Sequence, residues 1–137
     1  MGYEILEHTA DAKFRATGDT LQETFSEAVK GFAEIVGDGE RGQIRHEIEV
    51  ESENLEALLF DFMDRLILLQ DTEGVTVREA RDLEIQEKKH GYILEADIMT
   101  DKLDPGGSYL DIKGPTYNEM KVEHGDGEWV IEVVLDI

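Results

Sequence analysis

Residues 6–14 read LEHTADAKF, which sets His8 and Asp11 three positions apart between two apolar runs. At the far end the chain closes on EWVIEVVLDI, in which Trp129, Ile131, Val133 and Leu135 alternate with Val130, Glu132, Val134 and Asp136. That period of two predicts a half-buried strand running to the last residue. Such a strand holds the terminal carboxylate of Ile137 roughly one strand step, ~3.3 Å, beyond Asp136. If it pairs antiparallel with residues 12–18 it finishes beside Asp11, and three carboxylates converge. Two such charges at about 4 Å repel by ~4 kcal/mol at an effective dielectric of 20, so the cluster is tolerable mainly with a cation present. An all-oxygen set suits Ca²⁺, or Mg²⁺ and Mn²⁺, rather than a soft metal. On spacing alone, the commoner reading of Asp11 as a turn or cap residue stands ahead of the ligand reading.

Other chemistry finds little purchase. The chain has no cysteine, which excludes disulfides and thiolate metal sites. It has no glycine-rich phosphate loop, dinucleotide fingerprint, EF-hand spacing or nucleophile elbow. His46 falls on the apolar face of an alternating run and reads as a hydrogen-bonded core histidine, while His90 and His124 fall in or beside turns. Glu95, Asp97, Asp101, Asp104 and Asp111 could gather a hard cation, but a solvated strand face with a turn around Pro105 explains them as well. The formal net charge of −20 disfavours direct binding to RNA or DNA, whose phosphates are held by Lys and Arg. Lys88-Lys89-His90 is the one clustered run of positive charge, too short for a nucleic-acid patch. An acidic chain of this kind suits a basic protein partner, divalent cations or plain solubility. No apolar run approaches the ~18 residues that cross a bilayer, and the N-terminus lacks a signal-peptide pattern, so no membrane partner and a cytoplasmic location are expected.

The elements that must position these residues are well marked. At 137 residues the chain reads as a single domain, residues 1–137. GYEILE and AKFRATG read as strands flanking the opening turn. A helix follows over about 20–36, with Thr20 and Glu23 in capping-box spacing, an apolar face of Leu21, Phe25, Ala28, Val29 and Phe32, and Gly37 as the stop. QIRHEIEVE is a strand with Ile44, His46, Ile48 and Val50 on one face. A second helix over about 53–72 opens at Ser52 or Asn54 and carries Leu55, Leu59, Phe62, Leu66 and Leu69. Phe60, Met63 and Ile67 widen its apolar surface, so it is either sandwiched between layers or meets a partner. Beyond residue 75 the reading is strand-rich: VTVREA, DLEIQEK, GYILEADIMT, NEMKVEH and EWVIEVVLDI, with turns at 88–91 and 125–127. Two amphipathic helices packed on a mostly antiparallel or mixed β-sheet make an α+β fold.

These stretches resemble the archease family nearly end to end: HTADAKFRATG with TLQETFSEAVKGFAEIV, the leucine-rich second helix ending LLQDTEGV, IKGPTYNEMKV, and GEWVIEVVLDI. Family members commonly carry His after the Thr-Tyr pair and Ala after the lysine, where this chain has Asn118 and Gly114. The resemblance implies an accessory protein of the RNA ligase that joins tRNA halves in splicing. Such a protein is not itself a catalyst; it promotes guanylylation of the ligase's active-site histidine, sustains multiple turnover and broadens nucleotide use. It also implies a calcium ion held by Asp11, Asp136 and the carboxylate of Ile137. His8 would orient that site or simply stabilise the turn, and Lys113 would contact phosphate or a partner carboxylate. Two rival readings remain: a stand-alone metal-dependent phosphoester hydrolase using Asp11, Asp136 and His8, and a chaperone-like scaffold for RNA-modifying enzymes working through Phe60, Met63 and Ile67.

Overall fold

A computed structural model describes residues 1–6, 11–37, 42–103, 106 and 109–137. His8 and Asp104 lie outside the described residues. In chain order the elements are β1 (Gly2–Leu6), β2 (Asp11–Gly18), α1 (Leu21–Val36), β3 (Ile44–Ser52), α2 (Leu55–Glu73), β4 (Val75–Lys88), β5 (Gly91–Lys102), β6 (Gly114–Gly125) and β7 (Glu128–Asp136). The strands make two antiparallel sheets rather than one, ordered β1-β2-β7-β6 and β3-β5-β4. The fold is α+β, with α1 packed on β2 and β4 and α2 on β6 and β3, so each helix bridges the two sheets.

Both helices begin where side-chain chemistry says they should. The Thr20 hydroxyl accepts from the Glu23 amide at 3.1 Å, and the Glu23 carboxylate accepts from the Asp19 amide, one residue earlier than in the usual reciprocal box. Asn54, not Ser52, caps α2 by accepting from the Ala57 amide. Gly74 closes α2 at φ +64°, the left-handed conformation that favours glycine. No basic residue sits in the last turn of α1. Arg78 of β4 takes that role, its guanidinium donating to the carbonyls of Ala33 and Gly37 at 2.7 and 3.1 Å.

The core between the layers is built from Phe14, Phe25, Phe32, Phe62, Leu66, Leu94, Ile98, Ile131, Val133 and Leu135, all closed to solvent. Each such side chain contributes roughly 1.5–3 kcal/mol of transfer free energy. Gly31 lets α1 come close: a Cβ there would stand 2.7 Å from the ring of Phe14. On α2, Met63 and Ile67 are buried, and the Phe60 ring stacks on Tyr117 of β6 at 4.2 Å and 6°. Phe60, Met63 and Ile67 are therefore engaged inside the fold, as expected of a helix held between layers, while Leu68 stays 53% exposed.

Three strand expectations need correction. VTVREA and DLEIQEK form one continuous strand, β4, whose irregularities at Val77/Glu79 and Arg81/Glu84 absorb the break, with Asp82 at φ +51°. β6 starts at Gly114 rather than 118, because Gly114, Pro115 and Thr116 already pair with Asp136, Leu135 and Val134. β3 buries only Ile48 and Val50. Ile44 at its start is 40% exposed, and His46 is half-buried with its Nε2 3.1 Å from the Thr100 hydroxyl.

Candidate metal centre

β2 and β7 pair residue by residue from Gly18 opposite Trp129 to Asp11 opposite Asp136. The pairing is fixed by the pleat: Phe14 and Ala16 must face the core together with Val133, Ile131 and Leu135, and a one-residue slip would turn them all outward. That register sends Asp11, Lys13 and Arg15 to the opposite face, across from Asp136, Val134 and Glu132. Asp136 and Ile137 are exposed, and Asp11 is half-buried. The strand ends at Asp136, with Ile137 just beyond it rather than within it.

On the other side of β7, Gly114 stands opposite Asp136 in register. The Lys113 amide donates to the Asp136 carbonyl at 2.8 Å, which fixes the backbone that bears the carboxylate. The Lys113 side chain is exposed. Directly opposed residues of an antiparallel pair carry Cβ atoms about 4.5–5.5 Å apart on one face. Two aspartates so placed can share a hard cation at Ca–O distances of about 2.3–2.6 Å, so the residues present fit such an ion. Among the described residues, no group of three or more His, Cys, Asp or Glu side chains is arranged to hold a metal.

One row deeper lies an ion-pair network that sequence reading missed. Glu132 is 8% exposed, and its Oε2 accepts from Arg15 Nε at 2.9 Å and pairs with the second guanidinium nitrogen at 2.8 Å. Lys13 Nζ lies 3.5 Å from Glu132 and 3.6 Å from Glu119. Burial pushes the Glu132 carboxyl up. The hydrogen bond and charge of Arg15, with Lys13 and Lys121, override that and hold it below the usual carboxylate range. The signal was available: Lys13 and Arg15 alternate with Ala12, Phe14 and Ala16 exactly as Glu132 alternates with Ile131 and Val133, so opposite charges face one another once the two runs are paired.

Three of the other acidic candidates lie on the second sheet, away from this pair. Asp97 lies 3.6 Å from Arg45, Asp101 accepts from the Gly42 amide at 2.9 Å, and Glu95 sits on the solvent face of the β3-β5-β4 sheet opposite Glu49 and Glu84.

The family model described as the Archease protein family (MTH1598/TM1083) matches residues 3–137. The chain belongs to the archease family. Curated archeases include one from Pyrococcus abyssi, 36% identical over 98% of both chains, and one from Methanosarcina mazei, 34% identical over 98% of this chain and 95% of that one. The solution structure of Methanobacterium thermoautotrophicum protein 1598 superposes with a TM-score of 0.85 at 30% identity, covering 99% of each chain. The crystal structure of an archease from Thermotoga maritima, described there as a possible chaperone, shares the fold with a TM-score of 0.58 at 23% identity, covering 96% of this chain and 94% of that one. No described helix of this archease-family chain is long and apolar enough to cross a membrane.

Proposed function

We propose that this chain activates a tRNA-splicing RNA ligase, promoting guanylylation of the ligase's active-site histidine and sustaining repeated turnover, without catalysing a reaction of its own. The observation that carries this reading is the register that sets Asp11 directly opposite Asp136 at the end of the β2-β7 pair. Asp11, Asp136 and the carboxylate of Ile137 would hold Ca²⁺, with Mg²⁺ or Mn²⁺ as substitutes. Bound there, the ion supplies positive charge at a docking surface, where it can neutralise phosphate or bridge to partner carboxylates. The chain's own residues do the positioning. The β2-β7 ladder fixes the spacing of the two aspartates, and the Lys113 amide holds the Asp136 backbone in place. The exposed Lys113 side chain is within reach of whatever approaches that end.

Guanylyl transfer depends heavily on aligning nucleotide, metal and histidine, which is the kind of assistance a rigid accessory protein can give. The net charge of −20 suits a basic, RNA-binding partner and works against direct nucleic-acid binding. A scaffold acting through Phe60, Met63 and Ile67 lacks its surface, since Met63 and Ile67 are buried and Phe60 is stacked on Tyr117.

The test mixes the purified chain with a tRNA ligase and GTP and follows covalent nucleotide on the ligase, with and without chelator. Stimulation that disappears with chelator and in Asp11→Asn is the expected result. Stimulation indifferent to both sinks the metal assignment. Phosphoester hydrolysis by the chain alone, lost in Asp11→Ala, would establish the enzyme reading instead.

A further inference from the structure

β6 takes five residue steps, Thr116 to Lys121, while β7 takes two, Val134 to Glu132. The residues inserted between them, Tyr117 to Met120, carry Glu119 at φ +60°, a left-handed backbone that a glutamate adopts only when its surroundings hold it there. Two contacts do so. Tyr117 lies flat on Phe60 of α2, and the Glu119 carboxylate reaches Lys13 Nζ at 3.6 Å. Lys13 belongs to β2, so this ion pair runs from β2 to β6 across the intervening β7. Beneath it lies Val134, opposite both Lys13 and Thr116 in register. Val134 is fully buried although it points away from Ile131, Val133 and Leu135 and lies outside the main core cluster.

We propose that the Lys13–Glu119 pair is a strap over β7, and that Lys13 and Glu119 are positioning residues for the Asp11–Asp136 pair. Lys13 stands two residues from Asp11 on the same face, about 7 Å along the strand. Its aliphatic stem covers Val134, and its ammonium ties down the inserted residues of β6 while also meeting Glu132 at 3.5 Å. With the strap in place the last residues of β7 are held between two neighbours, β2 and β6, up to the position of Asp136. Without it the inserted residues lift, Val134 is uncovered and the spacing of the two aspartates is no longer fixed.

Because the strap acts on residues proposed above to hold a cation, the two readings need separable measurements. Calcium affinity is measured by titration calorimetry, and hydrogen exchange at amides 117–120 and 134–136 is followed in calcium-free protein. The strap predicts that Lys13→Met and Glu119→Gln each weaken Ca²⁺ binding about tenfold, the usual scale for a group supporting a ligand. The double variant should be no weaker than Lys13→Met alone, since Lys13→Met already removes the contact to Glu119 along with the one to Glu132. Each should speed exchange at the named amides, and Lys13→Arg, which keeps charge and reach, should restore both readouts.

Charge alone makes the opposite forecast for Lys13→Met, because deleting a positive charge so close to a cation site tightens binding. Tighter or unchanged binding together with unchanged exchange overturns the strap. If the unmodified chain takes up no Ca²⁺, the cation reading fails, and the strap is then decided by exchange alone: no acceleration in Lys13→Met overturns it. Glu119 is half-exposed, so hydrogen exchange in Glu119→Gln decides the strap even if Lys13→Met folds poorly; its affinity does not, because losing a negative charge weakens cation binding by itself.

Discussion

Asp11 and Asp136 face each other at the exposed end of a ladder, where two negative charges repel one another. Asp11→Asn removes one of the two carboxylates proposed to share the cation. We expect calcium affinity to fall at least about tenfold. A few glycines appended after Ile137 keep every side chain but move the terminal charge away. Calorimetry should show a comparable loss for the extension if the carboxylate of Ile137 is the third ligand. Glu132 behaves in the contrary sense. Its carboxyl is held below the usual range, so its contribution to stability is complete above the unfolded value and is lost as pH falls through the folded value. Glu132→Gln should lower stability at neutral pH and flatten the acid limb below about pH 5, measured by denaturant melts across pH. The juxtaposition of Asp11 and Asp136 was legible on the premise that the last strand pairs antiparallel with residues 12–18, and the register has that form. Lys13 and Glu119 were not, since their meeting depends on residues inserted into β6 that leave no trace in the period of the sequence.

At the scale of elements, the helices were readable almost to the residue because capping chemistry is local. Thr20 and Asn54 accept from the amides three residues on, and Gly37 and Gly74 follow the last turns. Strand limits were harder. Irregularities in β4 and β6 let one strand look like two, or let it start late, because a bulge breaks the alternation without ending the ladder. Gly31 gives a test of packing against propensity. Alanine in mid-helix gains about 1 kcal/mol over glycine from propensity. Here its methyl would meet the buried Phe14 ring at 2.7 Å, backed by the core rather than by solvent. Overpacking of this kind costs about 1–3 kcal/mol. Gly31→Ala should therefore be neutral to destabilising by about 2 kcal/mol in chemical denaturation, where an exposed helix position would be stabilised.

Over the whole molecule, 33 acidic against 13 basic residues leave a self-repelling surface. The acidic row formed by Glu49, Glu95 and Glu84 across three neighbouring strands shows that the fold tolerates like charges side by side. Two kinds of cation effect should then be separable. Monovalent salt screens the entire surface, so raising NaCl from about 0.05 to 0.5 M in chelator should raise the unfolding midpoint of the unmodified chain and of Asp11→Asn alike. Calcium acts differently if it bridges β2 to β7, the strands that join the opening of the chain to its close. At about one hundred times its dissociation constant it adds roughly 2.7 kcal/mol to folding. At the same calcium concentration that gain should fall by about half or more in Asp11→Asn, and in the unmodified chain it should persist in high salt, where loosely associated divalent ions are displaced. Thermal melts of both proteins in a grid of NaCl and CaCl₂ distinguish the cases. A calcium gain shared equally by Asp11→Asn would mean that the ion acts on the acidic surface at large, and the end-to-end bridge would have to be abandoned.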